Sequence, residues 1–190
     1  MKKIKLILPA ILLLAACSKE STEISPAVST SNMQAAKVNV ARPFRAIINA
    51  TANTDAAIPP TSCSGDLPGF SAPDFLLTGS ATHMGDFIPQ ISNLHHVSCD
   101  LSFATMLLTT NVSVQLAANN GDLLYCTGND VVNVAALLTQ TGTTGSITGT
   151  WTINGGTGRF EGATGSFTIN GFVDFISNSF NCECVGTITY

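Results

Sequence analysis

Positive charge is scarce in this chain: past Arg45 the only lysine or arginine is Arg159. No basic patch can form on the C-terminal two-thirds, which excludes nucleic acid as a partner and argues against a phosphate-rich or anionic-lipid ligand held by side-chain charge. A long apolar run is missing as well. The stretch Leu6 to Ala16 is broken by Pro9 and falls short of the about 20 apolar residues that a transmembrane helix needs. One tryptophan and two tyrosines are too few for the aromatic girdles of a lipid-facing outer-membrane barrel, so the aromatic Tyr190 is not read as the end of one. What remains is 45% hydrophobic and 11% charged, with 16 glycines, a composition that suits an exported β protein and not a disordered chain.

The N-terminus carries an address. Lys2, Lys3 and Lys5 precede the short apolar run, and Leu14-Ala15-Ala16-Cys17 follows it, in the order of an export signal. Leu-Ala-Ala-Cys resembles a bacterial lipobox, which implies cleavage after Ala16 and lipidation of Cys17. The expected organisation is a lipoprotein signal peptide over residues 1–16, lipidated Cys17 with a flexible linker over 17–69, and a β-barrel domain over 70–190. Cleavage removes three lysines and leaves five basic against twelve acidic residues, a net charge near −7 in place of −4. Ser18-Lys19-Glu20 resembles the short signal that sends some Gram-negative lipoproteins to the cell surface. The expected location is the bacterial outer membrane, facing periplasm or cell surface, with the membrane as one partner through the lipid.

From Ser18 to about Gly69 no period is sustained, and Pro59-Pro60 interrupts regular structure. Within this tether Val38 to Ile48, with Phe44, Ile47 and Ile48, is suited to dock as a short strand. Past Asp74 the pattern alternates. Ile147, Gly149, Trp151 and Ile153 fall on one side of a strand and Thr148, Thr150 and Thr152 on the other, and Phe167, Ile169, Gly171, Val173 and Phe175 repeat the pattern. About eight strands are predicted, near residues 74–84, 86–96, 97–105, 110–118, 122–134, 145–154, 164–175 and 182–190. The one window with helical character, Val131 to Leu138, is β-branched and uncapped, and is read as strand or irregular loop. Many short antiparallel strands form a sandwich or a barrel, and periodicity alone does not choose.

The segment Thr152-Ile-Asn-Gly-Gly-Thr-Gly-Arg-Phe-Glu-Gly-Ala-Thr-Gly-Ser-Phe-Thr-Ile169 resembles the strand-loop-strand segment of the allene oxide cyclase-like and dirigent-like barrels. The resemblance spans about residues 74 to 190 and implies a small closed antiparallel β-barrel of about eight strands in an all-β fold. Independently of the family, Gly155, Gly156 and Gly158 permit positive φ, so the chain can reverse tightly and Phe160 can turn inward to plug one end while Glu161 stays in water. A glycine-rich phosphate cradle would open a helix and carry a lysine, and this segment does neither. Arg159, with acidic neighbours and no second basic group, reads first as a surface ion pair and second as a weak anion anchor.

Cys63, Cys99, Cys126, Cys182 and Cys184 remain once Cys17 carries lipid. Export makes disulfides plausible, and five cysteines leave at least one thiol without an intramolecular partner; the pairing stays open. Cys182 and Cys184 share one face of a strand, so they do not bond each other easily. No metal is expected, because Cys182-Glu183-Cys184 with His83, His95 or His96 lacks the spacing of a structural zinc site. His95 and His96 point to opposite faces if extended, so at most one enters a given pocket, and His83 is the stronger candidate for a polar group at a barrel mouth. No cofactor is implied. Two functions follow: a non-catalytic binding or structural module, with room in the barrel for a small apolar ligand, or, as the resemblance implies, an isomerase or cyclase acting on an oxidised lipid. The second needs a polar group inside an apolar cavity, and Asp86, Asp122, Asp130 and Glu161 all fall near predicted turns, so the binding reading leads.

Overall fold

The computed structural model describes residues 40–55 and 57–190. The expected signal peptide, the expected lipidation at Cys17 and the part of the expected linker up to residue 39 lie outside the described residues. Along the described residues run β1 (Ala41–Ala52), β2 (Thr61–Ser62), β3 (Ser64–Gly65), β4 (Ser71–Ala72), β5 (Phe75–Ala81), β6 (Gly85–Asp86), β7 (Asn93–Ser102), β8 (Leu107–Ala117), β9 (Leu123–Asn133), β10 (Thr144–Gly156), β11 (Thr164–Asp174) and β12 (Ser179–Thr189). A single helical turn, α1 (Ala135–Leu138), and a 3₁₀ turn at Gly158–Phe160 complete the secondary structure.

Eight of these strands stand in a ring. The order β7-β8-β9-β10-β11-β12-β1-β5 is antiparallel throughout, and β5 returns to β7. The alternation that reads from the sequence sets the two faces: Ile147, Trp151 and Ile153 of β10 and Phe167 and Ile169 of β11 are buried, whereas Thr148, Thr150, Thr152, Ser166 and Thr168 are exposed. Inside, large residues occupy space that glycines leave. A Cβ on Gly128 would sit 2.1 Å from Trp151 Cδ1, and Trp151 in turn meets Phe167 edge-on at 5.7 Å. Packing of this kind concentrates stability in a few aromatic anchors.

The ladders are unequal. β1 pairs with β12 from Ala41–Thr189 to Thr51–Ser179, but β5 meets β7 only through Phe75–Leu94 and Leu76–Asn93. Beyond Leu94 the free edge of β7 is covered by residues 57–74, which act as a strap. Ser64 and Gly65 run parallel to Asp100 and Leu101, the Thr61 hydroxyl donates to the His96 carbonyl at 2.6 Å, and Cys63 and Cys99 form a disulfide. Edge groups that would otherwise recruit another chain are thereby paired.

Three expectations are corrected. Residues 41–52 belong to the sheet, so the folded unit begins well before residue 70; Phe44, Ala46, Ile48 and Ala50 alternate inward and fill the gap between β12 and β5. The two strands expected at 86–96 and 97–105 are one, β7, preceded by an irregular connection; its count is restored by β1. Val131 to Leu138 is divided, with the end of β9 followed by the helical turn α1.

Candidate functional site

β9 places Asp130 inside the ring. Leu124, Cys126, Asp130 and Val132 are buried and Tyr125, Thr127 and Asn129 exposed, as the two-residue period requires. Asp130 is 2% exposed, and its Oδ1 accepts a hydrogen bond of 2.7 Å from Trp151 Nε1. Its cross-strand neighbours are Thr110 on β8 and Gly149 on β10. A Cβ on Gly149 would lie 2.4 Å from Asp130 Oδ1, so glycine is what admits the carboxyl group. Burial pushes the Asp130 carboxyl up to about 7, with the Trp151 hydrogen bond opposing. The reading that put Asp130 near a turn is therefore corrected: Gly128-Asn129 does not interrupt β9, because Gly128 makes room for Trp151.

Asp130 borders a cavity of about 200 Å³ at the end of the ring where β7 meets β8, β9 meets β10 and β11 meets β12. Its walls are apolar: Phe70 from the strap, Phe75, Leu94, Leu108, Ile147, Phe175 and Phe180. Phe75 and Phe180 stand edge to face at 5.1 Å. Polar groups are fewer, namely Asp130, Thr110, His96, Ser71, Asn178 and, at the rim, Asp174. His96 Nδ1 donates to the Pro73 carbonyl at 2.9 Å, leaving Nε2 as an acceptor. Burial lowers the His96 pKa against that hydrogen bond and the nearby Asp74 charge, so the ring stays neutral. His95, on the opposite face, holds Asp74 Oδ2 at 2.7 Å, while Asp74 Oδ1 accepts from the His96 backbone at 3.1 Å. Asp174 accepts from the Ile176 and Ser177 backbone amides, which hold its carboxyl below the usual range.

The other sequence candidates gather at the far end. His83 sits at φ +70°, its Nε2 3.0 Å from the Pro43 carbonyl and its ring edge-on to Tyr190. Arg159 lies 3.5 Å from Asp122 and over the Phe160 ring; its partner is Asp122 and not Glu161. Phe160 is wholly buried, 5.2 Å from the Tyr190 ring. Gly155 and Gly158 take positive φ, whereas Gly156 does not, and serves by close approach: a Cβ there would sit 2.7 Å from Phe160 Cβ. Asp86 and Glu161 are exposed. Neither His83 nor Arg159 lines the cavity, whereas Asp130 and His96 do.

Cys63 and Cys99 are bonded; Cys126, Cys182 and Cys184 are buried free thiols. Burial pushes the Cys126 thiol up to about 12, and a hydrogen bond with Cys182, followed by burial, raises Cys184 further. The Cys126 and Cys184 thiols are thereby kept from ionising, and all three side chains fill the core. Among the described residues no group of three or more His, Cys, Asp or Glu could hold a metal ion, and no helix is long and apolar enough to cross a membrane. No family model matches the chain, no curated protein is similar to it, and no solved structure matches its fold.

Proposed function

We propose that this chain is an exported lipoprotein, held through acylated Cys17 at the outer membrane, whose ring is a closed β-barrel of the allene oxide cyclase-like or dirigent-like kind. It binds a small, largely apolar molecule and performs no chemistry on it. The observation that carries the reading is the cavity itself: about 200 Å³ of space, walled by phenylalanine and bordered by one buried carboxyl group. An apolar cavity of about 150 Å³ holds benzene, so this one suits a molecule of about eight heavy atoms.

Asp130 also favours a second reading, an isomerase or cyclase of oxidised lipids, because a polar group in an apolar cavity is what such chemistry needs. Size decides against it. Sites for larger ligands span about 300–1,000 Å³, and an oxidised fatty acid of about 20 heavy atoms exceeds what 200 Å³ can hold.

Trp151 is the only tryptophan in the chain and donates to the carboxyl group at the cavity wall, so its emission reports on occupancy. Titration with ethylbenzene is expected to give a saturable change in Trp151 fluorescence with one site per chain by native mass spectrometry. A folded protein that shows neither would end the binding reading, and turnover of a panel of epoxide fatty acids would install the other. Mass spectrometry of wild type against Cys17→Ala tests acylation separately.

A further inference from the structure

Asp130 leaves one oxygen unclaimed. Oδ1 takes the Trp151 indole proton, and Oδ2 has no hydrogen-bond partner among the described residues. Every wholly buried side-chain oxygen or nitrogen among those residues has a partner, so Oδ2 has open space beside it, and the space that Asp130 borders is the cavity. A carboxyl group in an apolar wall with a free oxygen is costly unless something meets it. As a partner for Trp151 alone, an amide oxygen would suffice.

The charge around the cavity is of one sign. Asp174 stands at its rim and Asp74 follows the Pro73 wall, pinned by His95 and His96. Of the three arginines among the described residues, Arg42 stacks on Tyr190 and Arg159 on Phe160, both at the plugged end. Arg45 lies on the outer face beside Thr82. Four phenylalanines stand among the aliphatic residues of the wall, and the faces of such rings attract cations. An anionic ligand would meet repulsion here, a neutral one without a hydrogen-bond donor would leave Oδ2 unmatched, and a cationic donor answers both the oxygen and the surrounding charge.

We infer that the cavity takes a small organic amine, its ammonium group against Asp130 Oδ2 and its apolar body among Phe70, Phe75, Phe175 and Phe180. The inference rests on the cavity being a binding site, and names what enters it. The elevated proton affinity of the vacant-side carboxyl is consistent with this, since burial without a counter-charge is what a bound ammonium would relieve.

The test compares three probes of equal bulk at pH 7, benzylamine, ethylbenzene and benzoate, against wild type and Asp130→Asn by calorimetry and Trp151 emission. Benzylamine is expected to bind wild type at least about tenfold tighter than ethylbenzene, with no binding of benzoate. In Asp130→Asn, which keeps an acceptor for Trp151, that preference is expected to shrink to about twofold or less. Ethylbenzene binding as tightly as benzylamine to wild type, or a preference that survives in Asp130→Asn, would overturn the amine and leave the apolar site standing. Failure of all probes would remove both. If Asp130→Asn does not fold, the Asp130 carboxyl carbon shift in labelled wild type decides: movement to the ionised position on adding benzylamine supports the inference, and an unmoved signal overturns it.

Discussion

Where β10 runs into Gly156 the ring is stopped by Phe160 on its 3₁₀ turn and by Tyr190 beyond β12, whereas at the other end four phenylalanines stand around open space. Both ends use aromatic side chains, and the difference lies in what holds them. Phe160 is fixed by a 3₁₀ turn whose glycines allow the backbone to fold back onto the ring. At the cavity end Phe70 comes from a strap that is not a ring strand, and Phe175 from the connection between β11 and β12. Phe160 is pressed against Gly156 and fills space, whereas the rings at the other end, drawn from the strap, a four-residue turn and the strands β5 and β12, border it.

Removing the plug should have the largest effect. Phe160→Ala is expected to cost about 3–5 kcal/mol in urea denaturation while leaving probe binding at the other end unchanged, since distant sites act independently. Coupled loss of both would show that the two ends are one unit. Next comes the strap: Cys63→Ser with Cys99→Ser, which opens a loop of 36 residues, should cost about 2–4 kcal/mol and weaken ethylbenzene binding by loosening the Phe70 wall. Unchanged affinity in a destabilised variant would show that the strap serves the edge of β7 and not the cavity.

Asp130→Asn acts through pH. The carboxyl is raised from 3.8 to about 7, so between those values only the folded chain holds the proton, and stability falls as pH rises through that window. The variant should therefore gain roughly 2 kcal/mol over wild type at pH 8 relative to pH 4, after allowance for relaxation around the charge. His96, lowered by burial from 6.5, contributes in the opposite sense, with stability lost as pH falls below that value, and cancels in the comparison because both proteins carry it. A difference independent of pH would mean that Asp130 is ionised throughout. Smallest of all, Arg159→Ala should change stability by less than about 1 kcal/mol, because its pair with Asp122 is partly exposed.

How much of this was legible in the sequence follows from which residues carry a clean period. β10 and β11 were readable because Thr alternates with Ile, Trp and Phe without interruption. The sequence splits β7 because a bulge between His96 and Ser98 shifts its phase, and it marks β1 only as a short strand docking from the tether because two of its four inward residues are alanine. Asp130 was within a predicted strand, but Gly128-Asn129 looked like a turn; the signal that would have found it was phase, since Asp130 keeps step with Cys126 and Val132. The plugged end is legible in Phe160 and its neighbouring glycines, but the open space at the other end is not. It depends on strands that meet only when β12 closes onto β1.

That last pairing has a consequence for biosynthesis. Among the described strands β1 is made first and waits for β12, which is made after all the others. Until then β1 and β11 each offer a bare edge to any neighbouring chain. Chains lacking Ser179–Thr189 are thus expected to be the aggregation-prone species, and β1 completes its pairing only once the eleven residues of β12 have been made.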